Sequence, residues 1–224
     1  MARHARGPLA RVLYVAHRIL QRLTGGRAAL HAYLLCAQPI GAGAYDALRA
    51  DAHSVVRRAG PGDPLLTGLP RPPEALARRF AAGTECHAIS VKGEFAGCIW
   101  LARGAYDEDE VRCRYELAEP QRSVWDFDVY VVPRFRAGRT LGRLWKAVDG
   151  ALQAEGVQWT CSRISLYNLA SVQAHERLGA RHLGLGCFLL LGPLQVALLS
   201  CAPYAHLSWG AGSVPRVRLE PPTP

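Results

Sequence analysis

Two carboxylates, Asp126 and Asp128, stand two residues apart in the stretch S-V-W-D-F-D-V-Y-V-V-P, and a basic, glycine-containing run, R-F-R-A-G-R-T-L-G-R, follows directly. Carboxylates can accept and relay protons. A basic loop that opens a helix offers free backbone N–H groups and a positive dipole end to a phosphate. Together these residues suit proton chemistry beside a bound phosphate. Something must position them. Trp125, Phe127, Val129 and Val131 alternate with Asp126, Asp128 and Tyr130, which predicts a strand with one apolar and one ionisable face. Pro133 ends that strand, because proline has no N–H for a ladder. Leu141, Leu144, Trp145, Val148 and Leu152 then recur at helical spacing, predicting a helix over Thr140 to Glu155.

The flanking chain reads as alternating elements. Leu9, Val12, Leu13, Ala16, Ile19, Leu20 and Leu23 form a helical stripe over residues 1–27, with Arg11, Arg18 and Arg22 opposite and Gly25-Gly26 as a stop. Leu30 to Ile40 reads as a strand, and Tyr45 to Ala59 as a helix through Leu48, Ala52, Val55 and Val56. A Gly/Pro-rich loop leads to a short helix over Pro73 to Ala82. Cys86 to Val91 and Phe95 to Leu101, joined by Lys92-Gly93-Glu94, predict a hairpin. Ala105 to Val111 carries four acidic residues and reads as a solvated turn before a strand over Arg112 to Leu117. Strand Gln158 to Leu166 precedes a short helix capped by Asn168 and stopped by Gly179. From His182 to Pro215 there is no Asp, Glu, Lys or Arg. Gly192-Pro193 divides this segment, predicting two strands around a turn rather than a membrane span. The Pro-rich end, 201–224, reads as a loose tail.

A chain of 224 residues, half of them hydrophobic, can core one domain with modest extensions. Its formal charge of +9 comes from arginine, since Lys92 and Lys146 are the only lysines. No acidic residue precedes Asp46, whereas Arg3, Arg6, Arg11, Arg18, Arg22 and Arg27 all do, so the start of the chain is a basic arm. That arm can cap the domain, lie on an anionic membrane, or dock an acidic partner such as an acyl-carrier protein. It lacks the aromatic interleaving of a nucleic-acid module, and no nucleic-acid partner is expected. The seven cysteines make no C-x-x-C pair and no zinc spacing, so no metal is expected. Their odd number, without a signal peptide, favours a reducing, cytoplasmic setting.

Three pieces, in this order and spacing, carry a family resemblance: V-V-P-R-F-R-A-G at 131–138, the strand over Trp159 to Leu166, and N-L-A-S-V-Q-A-H-E-R-L-G at 168–179. They resemble the GNAT N-acyltransferase superfamily, whose motifs run V-x-P-x-x-R-G and N-x-x-S-x-x-x-H/Y-E-K-L-G. The resemblance covers roughly Leu30 to Leu199. It implies an α/β (α+β) fold, a mixed, mostly antiparallel twisted sheet flanked by helices. It also implies a division into an N-terminal helix (1–28), a GNAT-like domain (29–200) and a tail (201–224).

The resemblance further implies acetyl-CoA or another acyl-CoA as co-substrate, held by Val131, Arg136, Ala137, Gly138, Arg139, Thr140, Leu141, Gly142, Asn168 and Ser171. The family's R/Q-x-x-G-x-G/A loop maps onto Arg136 to Leu141, with Arg139 and Leu141 where small residues are usual. A base is implied at Asp126 or Asp128, oxyanion stabilisation by backbone N–H near Val131, and a general acid at His175. Tyr130 and Tyr167 are unassigned aromatics that could line an acceptor pocket. The acceptor is then an amine on a small molecule, sugar or lipid, with the basic arm placing the protein at the inner face of a membrane. The alternative is a non-catalytic, membrane-associated binding protein with a degraded loop.

Overall fold

A computed structural model describes residues 2–223 apart from 42, 44, 46 and 211. Its helices are α1 (Ala2–Leu23), α2 (Pro73–Ala81), α3 (Thr140–Ala154) and α4 (Leu169–Arg177). Its strands are β1 (Ala28–Pro39), β2 (Ser54–Ala59), β3 (Glu85–Val91), β4 (Glu94–Ala102), β5 (Ala105–Asp107), β6 (Arg114–Leu117), β7 (Ser123–Val131), β8 (Trp159–Ser165), β9 (Arg181–Leu191), β10 (Leu194–Leu199), β11 (Ala205–Trp209) and β12 (Arg216–Leu219). The fold class is mixed α/β with mostly antiparallel pairing and flanking helices. The chain divides into two compact units: Met1–Gln38 with Ala105–Glu119 and Cys161–Pro224, and Pro39–Gly104 with Pro120–Thr160.

In the second unit the strand order is β7-β4-β3-β2, all antiparallel. The β3–β4 hairpin turns on Lys92 (φ 52°) and Gly93 (φ 81°), the pair of left-handed residues that a tight two-residue turn requires. Leu144, Val148 and Leu152, one turn apart on α3, bury fully against Ile89, Ile99, Leu101 and Val124. Burying each of these side chains contributes about 1.5–3 kcal/mol, which makes α3 a fixed element of this unit. The helix expected over Tyr45 to Ala59 does not form. Asp46 lies outside the described residues, the chain around Leu48 is irregular, and Ser54–Ala59 is a strand paired with β3. Val55 and Val56 fit both periods over so short a run. Their β-branched side chains and the open edge of β3 decide for the sheet.

In the first unit the order is β11-β10-β9-β1-β8, with a separate three-stranded sheet, β12-β6-β5. Ala10 and Leu13 of α1 pack on Ala32, Leu34, Cys36, Ile164 and Leu166. The uncharged segment forms β9 and β10 around Gly192-Pro193, as its composition predicts, and β11 continues it. No helix among the described residues is long and apolar enough to cross a membrane. The tail is not loose. Within it, β12 runs parallel to β6, with Val217 and Leu219 buried and Arg216 and Arg218 exposed.

The acidic turn is solvated at Asp107, Asp109 and Glu110 but not at Glu108. The Glu108 side chain is 1% exposed and takes two hydrogen bonds from Arg163, at 2.9 and 2.8 Å. Arg163 lies 4.5 Å over the Tyr33 ring, and the Tyr33 hydroxyl donates to Glu110 at 2.7 Å. Truncating one member of such a buried pair leaves the other charge uncompensated. Glu108→Ala should therefore lower unfolding stability by about 3–5 kcal/mol, read from the urea midpoint, whereas a solvated turn would give a change within about 0.5 kcal/mol.

Candidate active site

The strand predicted to carry the chemistry does not alternate throughout. Leu101 pairs with Asp126 and Trp100 with Phe127, but Cys98 pairs with Tyr130, so Asp128 and Val129 together face Ile99. This is a β-bulge, and Asp128 adopts φ 45°, a left-handed conformation uncommon for a non-glycine residue. Gly97 permits it. A Cβ there would lie 2.5 Å from the Tyr130 carbonyl oxygen, so only glycine lets β4 approach β7 this closely.

The bulge separates the two carboxylates, which were expected to share one face. Asp126 is buried and sits opposite Leu101, on the face that α3 covers. Asp128 instead joins Arg79, whose guanidinium lies 5.2 Å over the Trp100 ring and 5.1 Å over Phe127. Val129, expected on the apolar face, is exposed.

Asp128 is gripped from two sides. Arg71 forks onto both of its oxygens, with Nε to Oδ2 at 2.9 Å, and Arg79 donates to Oδ2. Burial pushes the Asp128 pKa up, but the bonds from Arg71 and Arg79 outweigh it and hold the carboxyl below the ordinary range. The indole N–H of Trp100 is buried without a hydrogen-bond partner among the described residues. Arg71 and Phe80 also line a largely apolar cavity of about 420 Å³, with Leu66, Leu69, Leu76 and Ala77. Local pattern cannot reveal Arg71, Arg79 or this cavity, since the ion pairs join residues 57 and 49 positions apart.

Beyond β7 the chain makes a 3₁₀ turn, Pro133–Phe135, and enters α3 with Arg139 as its N-cap. The first helical bond there runs from Arg143 N–H to the Arg139 carbonyl, leaving the N–H groups of Thr140, Leu141 and Gly142 outside the ladder. Arg139 makes no side-chain cap, and the first turn holds no acidic residue. Arg136 anchors the loop by donating from Nε to the Val131 carbonyl at 2.9 Å, 5.9 Å over Tyr130. Val132 N–H bonds Ala96 O, so strand alternation turns the Val131 N–H away from β4.

The glycine departures in this loop carry little conformational cost. Arg139 has φ −92°, and a Cβ on Gly138 would meet nothing closer than 3.5 Å. A Cβ on Gly142 would meet only the tip of the Leu48 side chain closely, at 2.6 Å, a contact that a turn of that side chain relieves. Ala137 is exposed in the loop and Thr140 is buried beneath it.

The remaining predicted residues belong to the first unit. Asn168 caps α4, accepting from Ser171 N–H at 3.1 Å. His175 Nδ1 lies 2.8 Å from the Ser171 carbonyl, which can only accept, so Nδ1 carries the proton. Burial lowers the His175 pKa against the raising effect of that bond. A neutral imidazole in this tautomer has its lone pair on Nε2 and no second proton to give, which disfavours the general-acid role. Tyr167 donates to the Leu30 carbonyl at 2.6 Å and packs edge-on to Tyr14, a structural rather than an acceptor-lining position.

No protein-family profile and no curated protein sequence matches the chain. Among solved structures, a functionally unknown conserved protein from Staphylococcus epidermidis aligns at TM-score 0.51 and 9% identity, over 78% of this chain and 67% of that one. A GNAT family acetyltransferase from Elizabethkingia anophelis with acetyl-CoA bound aligns at TM-score 0.40 and 14% identity, over 57% and 75%. An aminoglycoside acetyltransferase from an uncultured soil metagenomic sample, in complex with trehalose, gives 0.41 and 9%, over 58% and 90%. Most of the similar structures are GNAT acetyltransferases.

The fold is similar to that of the Staphylococcus epidermidis protein. The strand, basic loop and helix start occur in the order that the sequence motifs imply.

The Asp128 clamp makes a stability prediction with a defined sign. Its folded pKa lies below the unfolded value, so its contribution is complete above the unfolded pKa and lost as pH falls through the folded one. Asp128→Asn, which leaves two guanidiniums without their carboxylate, should cost about 3 kcal/mol in urea unfolding near pH 7. The gap from wild type should shrink below about pH 4. A gap independent of pH would contradict the clamp.

Proposed function

We propose that the protein transfers an acyl group from an acyl-CoA to an amine acceptor. The observation that carries this reading is the start of α3, where N–H groups outside the helix ladder meet exposed Arg136 and Arg139 and no acidic side chain. Such a start attracts a pyrophosphate through oriented N–H donors and fixed positive charge. The sequence motifs at 131–138 and 168–179 point the same way.

Bound acyl-CoA would supply an activated thioester carbonyl. On this reading the N–H groups of Thr140, Leu141 and Gly142 hold the phosphates, with Arg139 adding a charge-assisted contact. Arg136 acts by fixing the loop to Val131. The Val131 N–H, turned away from β4, is the donor for oxyanion stabilisation. The cavity bordered by Arg71 and Phe80 receives the acceptor, and its apolar lining favours an amine with a hydrophobic body.

Of the two carboxylates, Asp128 is the one on the Arg71 face, and any relayed proton goes there. Its low pKa makes it a weak base. The acceptor's own ionisation then governs the pH dependence, and turnover rises as the amine loses its proton. A second reading, a binding protein without catalysis, draws on the same clamp and on the neutral His175.

Thiol release from acetyl-CoA and a longer acyl-CoA, measured against a panel of amines, amino sugars and lipid amines, separates the two. The acyltransferase reading expects amine-dependent release that climbs with pH, and a loss in kcat/KM of about tenfold or more in Arg139→Glu. His175→Ala should retain turnover within about tenfold. CoA binding with no release from any amine would leave the binding-protein reading.

A further inference from the structure

The first unit carries an exposed apolar surface that acyl transfer does not use. On α1, Val12, Val15, Ile19 and Leu23 are 64, 52, 54 and 80% exposed, and all but Val15 belong to the apolar stripe of the sequence. The packed side is instead Ala10 and Leu13, with His17 accepting from Leu30 N–H at 3.2 Å. At 100° per residue, the exposed stripe lies beside Arg11, Arg18 and Arg22, which are themselves exposed.

The sheet beside α1 is uncovered on the same face. In register, Leu191 faces Leu194 and Leu194 faces Trp209, while Leu198 faces Cys187 and Ala205. Leu185 pairs with Leu34, which α1 packs on, so these residues share the α1 side of the sheet. Leu198, Leu207 and Trp209 are 57, 63 and 73% exposed, and Tyr204 in the adjoining turn is also exposed. Tyr14 of α1 packs edge-on against Tyr167, which follows β8 on the other side of β1 from β9. The helix therefore turns Val12, Ile19 and Leu23 towards β9, and the Arg27 carbonyl accepts from Gly192 N–H at 2.9 Å at the β9–β10 turn. Helix stripe and sheet face make one surface.

We propose that this surface docks on an anionic phospholipid bilayer. Charge selects that occupant. Residues 1–45 contain six arginines and no acid, and 182–215 contain no charge of either sign. A second copy related by a two-fold axis would bring these arginines against their own kind. Anionic headgroups complement them. An open depression of about 580 Å³ beside Arg18, Ile19, Gln21 and Arg22 places two guanidiniums next to an apolar side chain, as a phosphate headgroup with its acyl chain requires. An interfacial helix sinks about 5–10 Å, close to the 10–12 Å width of a helix, which brings Trp209 and Tyr204 to headgroup level, where amphipathic aromatics are favoured. This docking is independent of acyl transfer.

The full chain should float with vesicles of phosphatidylcholine mixed with phosphatidylglycerol, and far less with phosphatidylcholine alone. Added salt should weaken the binding. Each arginine removed should reduce partitioning roughly fivefold, so Arg18→Gln with Arg22→Gln should lose about 25-fold. Leu207→Ser with Trp209→Ser, on a different element, should also lose binding while far-UV circular dichroism stays unchanged. Equal flotation of wild type and the arginine variant would overturn the proposal. So would a concentration-dependent dimer that Ile19→Glu dissociates, since a second copy would then cover the face.

Discussion

The candidate site depends on one carboxylate held between two cations. Asp128 stands at a left-handed bulge, a conformation that costs on the order of 1 kcal/mol or more and persists only where the surroundings impose it. Gly97 opens the space for the bulge, and Arg71 and Arg79 hold its side chain. The clamp ties a Pro-rich loop and the last turn of α2 to the middle of β7, and the apolar cavity is bounded by those same segments. The Arg79 guanidinium also lies over the Trp100 and Phe127 rings, so the clamp joins charge pairing to aromatic packing.

Farther along the chain, the fixed element is α3. Its buried Leu144, Val148 and Leu152 seat it on β3 and β4, so the start of the helix is presented by a rigid body. The basic residues of the loop then divide their work. Arg136 is spent on the Val131 carbonyl, and Arg143 pairs with Asp51 at 2.8 Å, whereas Arg139 is exposed at the cap. The arginine at the position where a small residue is usual adds charge without distorting the backbone.

Much of this was legible locally. β7, the β3–β4 hairpin, α3 and the Asn168-capped α4 follow from period, turn chemistry and caps, which depend on neighbours in sequence. What failed depends on partners far along the chain. Asp126 and Asp128 alternate on paper, and only the approach of Gly97 flips one of them. Val55 and Val56 form a strand because β3 offers an edge. Within the acid cluster at 107–110, Glu108 looks solvated until Arg163 is placed against it, and R-V-R-L at 216–219 is a strand because β6 lies open beside it. The α1 stripe was visible as an amphipathic pattern, but which residues faced inward required the position of Tyr167.

Titration of acetyl-CoA into the protein, followed by backbone amide NMR, tests the central claim most directly. If the start of α3 holds the pyrophosphate, the amide signals of Thr140, Leu141 and Gly142 shift with saturable binding, and Arg139→Glu weakens both. Saturable binding that leaves those amides unmoved, or no binding at all, would contradict the account.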